Sequence, residues 1–243
     1  MTGFENPHVA PKITFYTFPD CPWCQRVHIL LSELQIPFEE VYIDLSKPRE
    51  QWYLDINPRG LVPAIKFSNG VVNDEILYES SIVSQFIADS RPSHVLPASL
   101  ADPSAPLRRA RIQFFIDTFM SKLGGQWRSI FAAEDPDAKA QEIVKGVEKE
   151  VEGLLKDAAP FVDGSKELTF AETQTAPFLL RIYALSTHGE LPKSLKEGLE
   201  ALPNFGKWAK ALIEHPSVKA NWNEERVVSG IVAKLQAMRQ AKA

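Results

Sequence analysis

The chain is poor in cysteine, in basic runs and in long apolar runs, and each shortage removes a class of protein. Only Cys21 and Cys24 carry thiols among 243 residues. Two cysteines cannot build the multi-bridge framework of small secreted domains. There is no second Cys-x-x-Cys, and the five histidines show no zinc spacing, so a metal site lacks ligands. No stretch is strongly basic and the net charge is −4, which argues against nucleic acid and anionic membranes as main partners. No apolar run reaches the roughly 20 residues of a membrane span. The opening "MTGFENPHVAPK" lacks a basic segment followed by an apolar one, so it does not read as a signal peptide. The expectation is a cytoplasmic protein. Thiols stay reduced there, and a close Cys-x-x-Cys is more often redox-active than structural.

What remains is ordinary globular material, 44% hydrophobic and 24% charged. It suffices for a sizeable core in one large domain or two modest ones. The first third alternates strands and helices. "KITFYTF" is rich in β-formers, and "CPWCQRVHILLSELQ" spaces Val27, Leu30, Leu31 and Leu34 as a helix does. "PFEEVYIDL" is a second strand, and "KPREQWYLDINPRG" a loop or short helix. "LVPAIKF" and "NDEILYE" form a hairpin, followed by the helix "SSIVSQFIADS". A proline-spaced linker, "RPSHVLPASLADPSAP", ends this order of β-α-β then β-β-α.

Strand signals largely vanish beyond it. "LRRARIQFFIDTFMSKL" and "PDAKAQEIVKGVEKEVEGLLKDA" are long amphipathic helices, the second with Ile143, Val147, Val151 and Leu154 on one face. "LTFAETQTAPFLLRIYALSTHG" is a central apolar helix, with Thr169 and Glu172 at capping-box spacing. "ALPNFGKWAKALIEH" and "EERVVSGIVAKLQAMRQ" complete the set. The fold class is α/β plus all-α. The expected division is residues 1–92, a linker over 93–105, and an all-helical 106–243.

Three stretches carry candidate chemistry. Cys21 follows a strand and precedes a helix, with Pro22 suited to the first helical position. As N-cap, its sulfur faces unpaired N–H groups and the positive end of the helix dipole, which favours thiolate. Asp20 opposes this if close, and Arg26 could assist. Cys24, one turn on, is placed to attack a disulfide at Cys21. An inert buried pair is the bland alternative. In "GLVPAI", Pro63 enters a strand after Val62, a place where proline is restricted to an edge, a strand start or a bulge. In "YESSIV", Glu79 and Ser80 stand where a strand ends and a helix begins. Such an end is an anion site, or else is simply capped by Ser80 or Ser81.

The ordered set of "CPWC", "NPRGLVPAI", "LYESSIV" and "TFAETQTAPFLLR" resembles a cytosolic glutathione transferase over nearly the whole chain. Within that superfamily, cysteine at the first strand-to-helix turn is similar to the omega class and its fungal relatives, and to the lambda and dehydroascorbate-reductase classes. The resemblance implies an N-terminal thioredoxin-like domain with a mixed four-stranded sheet, an all-helical C-terminal domain, glutathione as co-substrate, and a homodimer. It implies Cys21 as the catalytic thiolate, and Val62, before a cis Pro63, pairing its backbone with glutathione. Glu79 and Ser80 would hold the γ-glutamyl end, and Lys47 or Arg49 would meet the glycyl carboxylate. Glu172 stands where the family usually carries aspartate and reads as a folding element.

An acceptor site for small hydrophobic or glutathionylated substrates is expected between the domains. Phe18, Phe114, Phe115, Phe119, Trp127 and Tyr183 are candidate linings, against helix core as the alternative for each. Arg108, Arg109 and Arg111 form a basic cluster that reads as a solvated or dimer-interface face. The leading reading is a glutathione-dependent thiol transferase or reductase working through a Cys21–glutathione mixed disulfide. That site could also reduce dehydroascorbate or cleave glutathionyl ketones. The rivals are conjugation of glutathione to electrophiles, a non-catalytic ligand- or protein-binding module, and glutaredoxin-like dithiol chemistry through Cys24.

Overall fold

The computed structural model describes residues 11–240; the reading of the first ten residues lies outside them. Four strands form one mixed sheet in the order β2-β1-β3-β4. They are β1 (Lys12–Thr17), β2 (Glu39–Tyr42), β3 (Ala64–Ser68) and β4 (Glu75–Tyr78). The helix α1 (Pro22–Glu33) carries the chain from β1 to its parallel neighbour β2. β3 runs antiparallel to β1, and β4 antiparallel to β3. A short α2 (Gln51–Ile56) precedes β3, and α3 (Ser80–Asp89) follows β4 directly. This is a thioredoxin-like domain, and a helical domain follows it.

The register matters more than the outline. Ala64 pairs with Tyr16 on one side and Tyr78 on the other. Cys21 just after β1, Val62–Pro63 just before β3 and Glu79–Ser80 just after β4 therefore emerge at one end of the sheet. The loop after β2 joins them, because Tyr42 pairs with Thr17 in the parallel ladder.

Residues 90–104 are irregular and lead to α4 (Ala105–Phe119), which runs into a wider π-type turn over Met120–Gly124. A 3₁₀ segment (Trp127–Ala132) and α5 (Pro136–Glu150) follow. The α-helix stops at Glu150, before the end of its predicted apolar face. Ile143, Val147 and Val151 are buried as expected, but Leu154 is exposed and Leu155 takes the buried place. The central helix α6 (Phe170–Thr187) is buried along nearly its whole length. Next come α7 (Lys193–Ala201), α8 (Pro203–Glu214), a short α9 (Pro216–Lys219) and α10 (Glu224–Gln240). The sequence reading passes over α7, although Leu195 and Leu199 are both buried at helical spacing.

α1 is the hinge pin of the assembly. Val27, Leu30, Leu31 and Leu34 are buried as their spacing requires, and so are Cys24, Gln25, Arg26 and Ile29. A helix buried this widely has partners on opposite sides; here they are the sheet with α3, and α6 of the helical domain. Polar ties complete the seam. Arg26 Nε donates to Gln174 O at 2.9 Å, Gln25 Nε2 to Asn221 O at 2.8 Å, and Arg181 to Gln25 Oε1 and Asp20 O at 2.6 and 2.9 Å. The basic cluster of α4 is part of the same stitching. Arg109 grips the Asp89 carboxylate at the end of α3 with both terminal nitrogens, and Arg108 pairs with Asp163 at 2.5 Å. Both tie elements of this chain together, a role that the reading of the cluster as a solvated or dimer-interface face did not include; Arg111 is exposed.

Candidate active site

Cys21 is the N-cap of α1, with extended backbone angles and Pro22 in the first turn. Its N–H bonds back to Phe18 O at 3.0 Å, which closes the turn out of β1. Its thiol is pulled down to about 6. The largest cause is a hydrogen bond from the Cys24 thiol; partial burial opposes it, and the Cys24 and Trp23 N–H groups and the Arg181 charge assist. The sulfur closes no capping hydrogen bond of ordinary geometry, so the helix end acts mainly as a field. A thiol titrating near 6 is about nine-tenths ionised at pH 7, against a few per cent for a free cysteine. The neighbours raised from sequence fall out simply. Asp20 is tied to Arg226 at 2.6 Å, and Arg26 lies on the far side of α1 against the Phe178 and Trp23 rings.

Cys24 is wholly buried. Burial and the neighbouring Cys21 sulfur push its thiol well up. It stays protonated at neutral pH and acts as a donor to Cys21. Replacing it by alanine removes the largest stabiliser of the Cys21 thiolate. Cys24→Ala is expected to move the midpoint of Cys21 alkylation by iodoacetamide up, from near 6 toward the ordinary value of about 8.5. Cys24→Ser, with a hydroxyl in place, is expected to move it less. An unchanged midpoint in the alanine variant would show that Cys24 does not set the thiolate.

The second and third stretches meet Cys21 at the sheet end. The Val62–Pro63 bond is cis. Val62 lies outside β3, and among the described residues no hydrogen bond occupies its N–H or C=O. The preceding turn is held from below, with Tyr53 Oη and Asn57 Nδ2 both donating to Leu61 O, at 2.5 and 2.8 Å. Gly60 turns with φ +62°, and a Cβ there would meet the Arg49 side chain at 3.0 Å. Glu79 has φ 75° and ψ 114°. A non-glycine residue held there costs of order 1–3 kcal/mol and is found mostly where function requires it. Its carboxylate pairs with Arg59. Glu79, not a serine, is the N-cap of α3, and no side chain caps that helix. Plain serine capping is therefore absent. Ser80 Oγ instead accepts from Arg26 Nη1 at 3.3 Å. Arg26 is buried and, among the described residues, has no carboxylate paired with it; desolvation lowers its pKa to about 10. A buried cation thus lies under the uncapped start of α3.

The two basic candidates for the glycyl end separate. Arg49 is spent on the loop, donating to the carbonyls of Asp44, Leu45, Lys47 and Gly60. Lys47 is exposed and lies 3.5 Å from Asp44.

A cavity of about 500 Å³ opens beside Cys21, between the two domains. Of the candidate linings, Phe18 and Trp127 border it, with Leu45, Phe131, Ile231 and Leu235. Phe115, Phe119 and Tyr183 do not line it. Phe115 and Phe119 sit fully buried in the helical core, edge-on to Trp208, because α4 turns that face toward α6. Tyr183 is buried on α6 beneath Lys196. Phe114 points outward and is exposed. The polar lining was missed from sequence: Arg128, Arg181 and Lys234. Arg181 carried a signal, a single charge within the apolar run "PFLLRIYAL". Arg128 and Lys234 carried none, since they stand among ordinary surface charges. Among the described residues no three His, Cys, Asp or Glu side chains cluster as metal ligands, and no helix is long and apolar enough to cross a membrane.

Residues 20–90 match the family model of the glutathione S-transferase N-terminal domain. The chain is 26% identical to the probable glutathione S-transferase DHAR1, cytosolic, of Oryza sativa subsp. japonica, over 91% of this chain and 93% of the relative. It is also 26% identical to glutathione S-transferase omega-1 of Sus scrofa, over 92% of this chain and 87% of the relative. Among solved structures, glutathione transferase Omega 2C of Trametes versicolor superposes with a TM-score of 0.78 at 29% identity, covering 95% of this chain and all of that one. The strand-to-helix cysteine, the fold and these relatives agree: residues 20–90 match the glutathione S-transferase N-terminal domain, and the chain as a whole is similar to glutathione transferases of omega and DHAR type.

Proposed function

We propose that the protein is a glutathione-dependent thiol transferase or reductase whose nucleophile is the Cys21 thiolate. The observation that carries this reading is the pairing of a thiolate-favouring Cys21 with a peptide-shaped site at the same sheet end. Glutathione is a short extended peptide with one ammonium and two carboxylates. Val62 offers it a free backbone N–H and C=O, in the manner of strand addition. The uncapped start of α3 with Ser80 suits the γ-glutamyl carboxylate, with Arg26 as the charge beneath. Glu79 suits the ammonium. Lys47 is the better of the two basic candidates for the glycyl carboxylate, because Arg49 is occupied. Residues 1–92 then form the glutathione half, and 106–243, joined through the 93–105 linker, the acceptor half.

In the first step the Cys21 thiolate attacks the glutathione sulfur of a mixed disulfide. A Cys21–glutathione disulfide forms, and the other thiolate leaves and takes up a proton. A second glutathione thiolate then attacks the glutathione sulfur, forming oxidised glutathione and restoring the Cys21 thiolate. A low pKa helps Cys21 both to attack at neutral pH and to leave. Cys24 is poorly suited to resolve the mixed disulfide. Its thiol is buried and held protonated, and burial persists as the main cause after the Cys21 charge is gone. A one-sulfur cycle follows.

Steady-state rates test the reading. Glutathione-dependent reduction of the mixed disulfide of glutathione and 2-mercaptoethanol is expected to exceed conjugation of 1-chloro-2,4-dinitrobenzene. Conjugation outrunning exchange at background level would overturn it in favour of the conjugating rival. Within this reading Ser80→Ala removes one charge-assisted hydrogen bond made equally in ground and transition states. It is expected to raise the KM for glutathione about tenfold with little change in kcat. A fall in kcat with unchanged KM would contradict that role.

A further inference from the structure

The cavity beside Cys21 has apolar walls and an excess of positive charge. Phe18, Trp127, Phe131 and Ile231 supply the walls. Three cations, Arg128, Arg181 and Lys234, face one carboxylate, Asp20. That carboxylate is already taken by Arg226 from α10. Arg181 is likewise engaged, through Asp20 O, Gln25 Oε1 and Pro177 O. The other two cations are placed differently. Arg128 lies over the Trp127 ring at 4.8 Å, and Lys234 near the Phe18 ring at 6.0 Å. Among the described residues neither closes a hydrogen bond or an ion pair. Arg128 is near enough to Cys21 for their charges to act on one another.

An apolar slot needs no cations to hold a neutral hydrocarbon. Two cations stacked on its aromatic walls, without carboxylates of their own, complement a ligand that brings both an aromatic face and a negative charge. The Cys21 thiolate would itself repel such a ligand; the two cations offset it.

We propose that the acceptor cavity selects aromatic anions, with Arg128 and Lys234 as the residues that read the negative charge. The inference rests on the proposed transferase reading for its meaning, since it names the class of molecule that shares the site with glutathione. The aromatic body lies against the half-buried rings of Phe18 and Phe131, and its carboxylate, phenolate or sulfonate faces the guanidinium and the ammonium. Neutral analogues of the same shape keep the stacking and lose the charge contact.

The test uses a matched pair of probes, naphthalene-2-sulfonate and neutral naphthalene-2-sulfonamide, titrated calorimetrically into the full chain at pH 7. Saturating glutathione is present throughout, so that the anion sites for its own carboxylates are filled. The sulfonate is expected to bind about tenfold tighter, the sum of two partly exposed charge contacts. That preference is expected to fall with added salt. In the Arg128→Gln, Lys234→Gln double variant it should shrink to within about twofold, whereas Arg128→Lys, which keeps the charge, should retain most of it. Both positions are exposed, and circular dichroism of each variant checks the fold. Equal affinities in the wild type, or a preference that survives in the double variant, would overturn the inference. The Cys21–glutathione adduct is measured by mass on the same wild-type preparation. An adduct without the anion preference sinks this inference alone. The preference without an adduct sinks the transferase reading and leaves the cavity's selectivity standing.

Discussion

Cys21→Ser is expected to lower the glutathione-dependent exchange rate by about a thousandfold or more, the scale seen when an activated nucleophile is removed. The substitution is chemically small. Serine is a good N-cap, so α1 should start where it does now, and its stability should hold or rise. What disappears is the group that ionises. A hydroxyl in this place gains from the same Cys24 donor, the same N–H groups and the same Arg181 charge, yet its pKa stays far above neutrality. The loss should therefore fall on chemistry, with the KM for glutathione little changed. The pH profile of the wild type belongs to the same expectation. Because the Cys21 pKa is lowered in the folded protein, the rate should rise through about pH 6 and level off by about pH 7. An unperturbed cysteine would still be rising at pH 8. Exchange that survives in Cys21→Ser, or a wild-type profile with its midpoint near 8.5, would assign the chemistry elsewhere.

Glu172→Ala is expected to be the most destabilising single change of those considered. Glu172 is fully buried at the start of α6. Its carboxylate takes the Thr169 N–H at 2.9 Å and hydroxyl at 2.5 Å, the Val162 N–H at 3.0 Å, and the Trp208 indole N–H at 2.7 Å. Burial pushes its pKa up, and the same four donors pull it back. One side chain thus closes the capping box of the central helix, pins the preceding loop and orients a buried tryptophan of α8. Alanine would leave those donors unpaired and a cavity in place of the carboxylate. A loss of about 3–5 kcal/mol follows from breaking such a buried charged network, which for a chain of this size lowers Tm by on the order of 10 °C. Glu172→Asp keeps the charge but is one methylene shorter. It should retain the Thr169 half of the network, lose reach to Val162 and Trp208, and fall between. Chemical denaturation of the three proteins measures this. An alanine variant within 1 kcal/mol of wild type would mean that the network carries little of the stability.

The sequence reads well where a residue's role depends on its near neighbours. The α1 apolar spacing, the Thr169–Glu172 capping box and the Cys21-Pro22 turn are local patterns, and the structure has each of them. Cys21 was accessible as an N-cap because the strand, the turn and the proline are contiguous. What sequence could not supply depends on partners far along the chain. Arg26 faces Gln174 and Ser80, 148 and 54 residues away, and nothing in "CQRVH" foretells it. The main cause of the Cys21 pKa is the neighbouring thiol, whereas the sequence reading placed the weight on the helix dipole. Some of the aromatics chosen for the cavity lie in the core instead, for a plain reason. Phe115, Phe119 and Tyr183 lie on helices apolar enough that several faces are buried, and composition cannot tell core from pocket. Besides Arg181 of α6, the cavity draws cations from a 3₁₀ segment and from the last helix, where Arg128 and Lys234 look like any surface cations.

The central claim is that one sulfur, Cys21, carries glutathione as a mixed disulfide. Intact mass after incubation with oxidised glutathione tests it most directly, on the wild type, Cys21→Ser and Cys24→Ser. The account predicts one added glutathionyl group on the wild type, the same on Cys24→Ser, and none on Cys21→Ser. An equal adduct on Cys21→Ser, or a wild type that loses two hydrogens and gains no adduct, would contradict it; the latter result would mean that Cys24 closes the pair.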